Sequence, residues 1–369
     1  MPTSLWDIAA LFLRLGATAF GGPAVHIAIM QDEVVVRRKW LSEEQFLDLL
    51  GATNLIPGPN STEMALHIGW QRRGLLGLLV AGVAFIAPAM GITAFVAWMY
   101  VTYGAIPAVG GVLYGVKPIV LAVVFQALTG LAPKALPNLG SRVLGLACLA
   151  AMAFGAHELA VLFGAGAANV LFRDRRPVAV GLVPVAVSAG ASVAKVTLPS
   201  LFWVFLKTGA VLYGSGYVLL AFLRADLVDR LGWLTEQQLL DAIAVGQVTP
   251  GPVFTTATFI GYVIAGPWGA VVATVGIFLP AFLFVAVSGP LIPRIRESKV
   301  AGAFLDGVNV ASLVLMAWVT LTLARSAVVD VVTAGLLAFG AFMLLNYRVN
   351  ATGLVVMGAA VGGLASIFR

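Results

Sequence analysis

The stretch Asn54-Leu55-Ile56-Pro57-Gly58-Pro59-Asn60-Ser61-Thr62-Glu63 lies inside an apolar region and stops one helix so that another can begin. A residue before proline is pushed out of the helical region, and proline has no N–H to donate. Gly58 supplies the backbone freedom that a sharp reversal needs. Within a bilayer such a break bares N–H and C=O groups that lipid cannot satisfy, so it must face protein or a water-filled cavity. The same device returns at Gln247-Val248-Thr249-Pro250-Gly251-Pro252, followed by Val253-Phe254-Thr255-Thr256. Two broken helices at corresponding places in two halves point to a transporter's binding site.

Outward from the breaks the correspondence continues. Phe12-Leu13-Arg14-Leu15-Gly16-Ala17 matches Phe205-Leu206-Lys207-Thr208-Gly209-Ala210, and Trp40-Leu41-Ser42-Glu43-Glu44-Gln45 matches Trp233-Leu234-Thr235-Glu236-Gln237-Gln238, all 193 positions apart. Farther along the spacing slips to 192, with Pro88 on Pro280 and Gly115-Val116 on Gly307-Val308. The chain reads as a tandem duplication: 1–176, a linker at 177–198, and 199–369. Each copy is expected to hold a spanning helix with a glycine break (5–30, and 199–223), then a charged interfacial segment. A capping box, Ser42–Gln45 or Thr235–Gln238, then opens a helix that runs into the Pro-Gly-Pro turn as one arm of a re-entrant hairpin. Further spans are expected near 74–102, 108–131, 141–157 and 158–172, and near 267–290, 301–324, 327–346 and 350–368. The fold class is all-α integral membrane, about ten transmembrane helices in two repeats.

Composition supports this class. Hydrophobic residues make up 60% and charged residues 10%, with a mean hydropathy of +1.01. Asp7 precedes the first apolar run and no basic stretch leads it, so this run is expected to be a transmembrane helix rather than a cleaved signal. The single Cys148 lies in an apolar run, and His26, His67 and His157 are far apart, so neither disulfides nor metal or other cofactors are expected. The net charge of +6 reports orientation before it reports a partner. Arg37-Arg38-Lys39 and Arg72-Arg73 flank the first hairpin and mark a cytoplasmic face; around the second, Arg224 and Arg230 are balanced by Asp226 and Asp229, and Ile264-Ala265 replaces the arginine pair. Conversely Arg294, Arg296 and Lys299 stand where the first copy has the uncharged Tyr103-Gly104-Ala105. A bias that flips between copies implies inverted topology; a spanning 178–198 would instead make the copies parallel.

Phe20-Gly21-Gly22-Pro23-x-x-His26-Ile27, Trp40-Leu41-Ser42-Glu43 and Pro57-Gly58-Pro59-Asn60-Ser61-Thr62 resemble the amino-terminal domain of the chromate ion transporter family. Gly232-Trp233-Leu234-Thr235 through Gln247-x-Thr249-Pro250-Gly251-Pro252-Val253-x-Thr255-Thr256 to Gly261-Tyr262 resembles its carboxy-terminal domain. Ser215 stands where that pattern has glycine, and the chain is slightly short for the long form. The resemblance implies a two-domain exporter of chromate across the bacterial inner membrane. It does not fix the substrate, because sulfate is a near-isosteric dianion. The partners expected are such a dianion and the lipid bilayer, without nucleic acid, and a homodimer stays open.

Arg14 and Lys207 occupy equivalent places in the first helix of each copy; a cation inside a span is either functional or snorkels to the interface. Asn60, Ser61, Thr62, Thr255 and Thr256 follow the breaks, where helix N-termini offer N–H groups to an oxyanion and where the same side chains also cap helices. Asn54 and Gln247 match just before the turns, and Gly21, Gly22, Gly214 and Gly216 either open backbone donors or allow close packing. Glu63 and His26 are the candidate coupling groups, since a carboxylate beside a dianion links protonation to binding. Lys117 lies in another span with Asn309 as its counterpart, and Asp48 matches Asp241. An uncoupled anion channel on the same frame remains an alternative. No nucleophile–base set and no Gly-x-x-x-x-Gly-Lys-Ser/Thr loop is present, which excludes the common enzymes and direct drive by ATP.

Overall fold

A computed structural model describes residues 3–20, 22–53, 56–103, 107–173, 196–212, 218–288, 299–347, 349 and 351–367, and their regular structure is helical. The expected linker falls outside them except for its last three residues. Helix α1 (Leu5–Thr18) starts at a Ser4–Asp7 capping box and ends at Ala19, φ −82° and ψ 105°. Past the break, α2 (Pro23–Gln31) opens at Gly22, whose φ of 81° suits glycine alone, and winds into a π-helical turn at Asp32–Arg37. Helix α3 (Glu43–Thr53) begins at the capping box read from sequence, with Gln45 N–H donating to Ser42 Oγ at 3.1 Å and Ser42 N–H to Gln45 Oε1 at 3.0 Å.

Helix α4 (Asn60–Tyr103) leaves the first turn and kinks at Arg73 (φ −146°, ψ 24°) and Gly74 (φ 57°, ψ −144°). Thus α3 and the start of α4 are the two short arms expected around the break. Helices α5 (Pro107–Ala135), α6 (Leu139–Ala153) and α7 (Glu158–Arg173) follow.

Beyond the linker, α8 (Leu198–Val211) ends at Leu212 with φ −82° and ψ 111°. Next come α9 (Leu219–Leu223), a π-helical turn at Arg224–Arg230, and α10 (Glu236–Val248) with its Thr235–Gln238 capping box. A single 3-10 turn, Val253–Thr255, leads into α11 (Thr256–Ser288), which kinks at Ala265 (φ −141°, ψ 25°) and Gly266 (φ 65°, ψ −156°). Helices α12 (Lys299–Ala327), α13 (Val331–Asn346) and α14 (Ala351–Ile367) complete the described chain.

Close backbone contact holds the centre together. A side chain at Gly16 would come within 2.3 Å of the Phe85 carbonyl, and one at Gly209 within 2.2 Å of the Ile277 carbonyl. Glycine therefore lets α1 lie on α4 and α8 on α11, as small residues do where no water drives association. In turn α4 packs along α11, while α5 packs against α12, α13 and α14, and α7 against α12. Outer faces carry large exposed apolar groups such as Trp203, Leu146, Phe154 and Leu321, which a bilayer accepts and water does not.

Four helical stretches are long and apolar enough to cross a bilayer alone: Asn60–Tyr103, Gly110–Ala135, Val253–Ser288 and Gly302–Ala327. The spans read near 141–157, 158–172, 327–346 and 350–368 are helices of 15, 16, 16 and 17 residues. At about 1.5 Å per residue they reach about 22–26 Å, short of a core about 30 Å thick. Among the described residues, then, four long apolar helices are joined by shorter apolar ones, and the molecule is a multi-pass membrane protein.

Candidate functional site

The two turns are held by the opposite half. Gly58 N–H donates to the Leu212 carbonyl at 2.7 Å, and Gly251 N–H donates to the Ala19 carbonyl at 2.9 Å. Ala19 and Leu212 end α1 and α8, where a helix leaves carbonyls without intrahelical partners. Each Pro-Gly-Pro turn thereby satisfies an orphan group in the helix break of the other half. Gly58 has φ 144° and Gly251 φ 85°, so both turns use backbone geometry that favours glycine. Pro57, Pro59, Pro250 and Pro252 withhold N–H groups around each glycine, leaving it as the donor.

Polar groups are buried behind the turns. Ser61 is 2% exposed and Thr62, Glu63 and Thr255 not at all. The Thr62 and Glu63 N–H groups fold back on the Pro59 carbonyl at 2.8 and 3.0 Å, and Thr255 N–H on Pro252 at 3.0 Å. The hydroxyls of Thr255 and Thr256 also point backward, donating to the Pro252 and Val253 carbonyls at 2.8 Å. Both Glu63 carboxylate oxygens and Thr62 Oγ1 are buried without a hydrogen-bond partner. Unmade hydrogen bonds of buried polar atoms cost about 1–3 kcal/mol each, which makes such atoms natural points for a ligand or a proton to land.

His26 is buried, and its Nε2 lies 3.0 Å from the Ala19 carbonyl that also receives Gly251 N–H. A carbonyl only accepts, so Nε2 carries the proton and the unpartnered Nδ1 offers a lone pair. The ring stands edge-on to Phe85 at 5.7 Å.

The two cations of the first helices are paired. Arg14 Nη2 lies 2.6 Å from Glu33 Oε1, and Lys207 Nζ bonds Asp226. Glu33 and Asp226 are buried; Glu33 also pairs with Arg37 and Arg38, and Asp226 with Arg230. Burial pushes the Glu33 carboxyl up, but hydrogen bonds from Arg14 and Arg38 outweigh it, and the group sits below its ordinary value. Arg14 is not enclosed: its side chain is half exposed, on an open cleft of about 640 Å³ that Thr18, Asp32, Glu33 and Arg37 also line.

The structure thus brings Gly22, His26, Ser61, Thr62, Glu63, Thr255 and Thr256 to the two breaks, with Asn60 as the first residue of α4 and Gln247 in the last turn of α10. Gly21, Asn54, Gly214 and Gly216 lie outside the described residues. Arg14 and Lys207 stand off on their own ion pairs. Sequence reasoning missed Glu33 and Asp226, although each follows its matched cation by 19 positions, a signal that was there to read. It also missed Thr93, whose Oγ1 lies 3.4 Å from Thr255 Oγ1 and 3.5 Å from Thr249 Oγ1, and His67, buried with Nε2 unpartnered.

Paired helix breaks clasped at the centre of a multi-pass bundle define a class of membrane protein whose relatives are recognisable. A family model described as chromate transporter matches residues 6–170 and again 199–364, so the chain belongs to the chromate transporter family. The chromate transport protein of Cupriavidus metallidurans is 30% identical over 380 residues, covering 99% of this chain and 94% of that one. That of Pseudomonas aeruginosa is 32% identical over 98% of this chain and 92% of its own. A shorter relative, the uncharacterized transporter YwrB of Bacillus subtilis, is 32% identical over 137 residues, 36% of this chain and 68% of its own length. No solved structure matches the chain.

Proposed function

We propose that this protein is a transporter rather than an enzyme, a secondary active carrier that exports chromate across the inner membrane of a bacterium and so confers chromate resistance. It carries the dianion between two inverted halves, 1–176 and 199–369, of five spans and one hairpin each. The reciprocal clasp supports this reading most: each turn anchors in the opposite half's helix break, as two breaks sharing one site would. Family membership, two separate matches of one family model, and a relative near half this length support the duplication. The flipped loop charges support the inversion.

In this reading the helix N-termini after Pro59 and Pro252, with the hydroxyls of Ser61 and Thr62 and, once it turns from the Pro252 carbonyl, that of Thr255, hold the oxyanion. Arg14 and Lys207 draw it toward the breaks. Glu63 is the coupling group, with His26 beside it: a dianion binds next to a protonated carboxyl and is repelled by an ionised one.

Labelled chromate and sulfate uptake into inside-out vesicles, with an imposed proton gradient, tests the reading. Saturable chromate uptake that follows the gradient is expected. Uptake of sulfate alone changes the substrate, and a gradient-independent conductance replaces the carrier with a channel. Cysteines at 38 and 231, in a Cys148→Ser background, are expected to label from opposite faces; labelling from one face refutes the inversion.

A further inference from the structure

The most deeply buried ion pair among the described residues joins helices of both halves. Lys117 Nζ on α5 lies 2.9 Å from Asp241 Oδ1 on α10, with side-chain exposures of 13% and 5%. Tyr100 on α4 donates its hydroxyl to Asp241 Oδ2 at 2.8 Å, and Lys117 also donates to Gln237 Oε1 at 2.5 Å.

This group lies on a line that leads to the second break. Thr93 and Tyr100 sit two turns apart on α4, and Thr249, which caps the end of α10, follows Asp241 by just over two turns. Contacts Thr93–Thr249 and Tyr100–Asp241 therefore tie the two antiparallel helices at successive heights. The inner end reaches Thr255 at the turn. At the outer height the Tyr100 ring lies 5.1 Å from Phe259. Outward, Gln237 donates to the Ser326 carbonyl at 3.2 Å, and Glu236 pairs with Arg224 at 2.6 Å. A polar seam with one aromatic step thus runs from the break to the rim of the carboxy-terminal half.

We propose that Lys117 is a displaceable cation on the oxyanion's path, held by Asp241 when the path is empty and turning to the dianion as it passes. The inference rests on the transport reading above. Arg14, Lys207 and Lys117 each carry an acid partner, so a dianion that uses one of these three must take it over from its acid. Lys117 is suited to the exchange because an ammonium is a flexible point charge with three donors. Asp241 is suited to release it because Tyr100 already holds its second oxygen, so the carboxylate keeps a partner when the lysine leaves. A strut required by the fold would recur in the other half. There, Asn309 stands 192 positions after Lys117, and Asp48, 193 before Asp241, is exposed.

Chromate uptake by proteoliposomes tests this with wild type, Lys117→Arg, Asp241→Asn and the double variant Lys117→Gln/Asp241→Asn. Asp241→Asn leaves Lys117 to the substrate, so KM falls several-fold and kcat falls with it. The double variant melts close to wild type, because a neutral pair replaces the buried charges, yet its KM rises about tenfold. Lys117→Arg keeps most of the activity. A folded double variant with wild-type KM, or one that rescues a transport-dead Asp241→Asn, overturns the inference, since both mark a strut. If the double variant does not fold, Asp241→Asn decides alone, and an unchanged or raised KM overturns it. Wild-type liposomes that take up neither chromate nor sulfate overturn the transport reading itself, an outcome distinct from the others.

Discussion

The two hairpins share a backbone and differ in chemistry. Kinks at Arg73-Gly74 and Ala265-Gly266 agree within about 12° in every angle, and even Lys39 adopts a left-handed φ of 52° where Gly232, 193 positions on, has 63°. Yet the first arm carries Glu63 and His67, both buried, while Thr256 and Ile260 occupy the places 193 positions later. Surroundings differ as well. Helix α10 is buried against α5 and α12 along Leu239–Ala244, whereas α3 packs mainly on α4 and exposes Leu47 and Asp48. A shared frame makes two equivalent breaks, and unlike side chains make their surroundings unequal.

The largest expected effect separates the glycines. An alanine at 251 meets the Gly16 carbonyl at 2.8 Å and Ala89 at 2.6 Å, whereas one at 58 meets the Glu63 carboxylate tip, which can swing aside. Both sit at positive φ, a strain of about 1–3 kcal/mol, but only Gly251→Ala also strikes backbone. Gly251→Ala should therefore abolish vesicle transport and Gly58→Ala leave a measurable fraction; the reverse order breaks the account of the turns.

A second contrast concerns proton coupling. Glu63→Gln should remove the dependence of transport on the proton gradient, while Thr256→Val should slow transport and leave that dependence intact. Equal loss in both variants would place coupling elsewhere.

Smaller effects come from the outer pairs. Lys207→Ala leaves Asp226 with Arg230, whereas Arg14→Ala leaves Glu33 with Arg37 and Arg38. Thermal unfolding of purified protein should show a loss of about 1–3 kcal/mol for the former and under about 1 kcal/mol for the latter. Both should lower transport, and Arg14→Lys should retain part of it.

The smallest effect is in pH. Glu33 titrates below its ordinary value of about 4.3, so its contribution is full above that pH and is lost as pH falls through the lower folded value. Wild type and Glu33→Gln should therefore differ in melting temperature at pH 6, and the difference should shrink as the pH is lowered through the folded value.

Much of the frame was legible because its causes are local. Proline and glycine dictate turns within a few residues, capping boxes act across three, and apolar runs report the bilayer, so the all-helical membrane class and the arms around Pro57–Pro59 and Pro250–Pro252 could be read directly. Arg14 and Lys207 were found without their partners, because Glu33 and Asp226 lie one break away on a π-helical turn that no periodicity announces. The Thr93–Thr255 and Tyr100–Asp241 contacts join residues 162 and 141 positions apart, and nothing local encodes such meetings.

The clasp also sets an order of events during synthesis. When Gly251 is made, its acceptor at Ala19 has long been in place, so the second turn can close at once. Gly58 must wait for Leu212, 154 residues later, which at about 5–20 residues per second is about 8–30 s. Through that interval the Gly58 amide lacks the carbonyl that receives it in the finished fold, so the first turn stays open until the second half arrives.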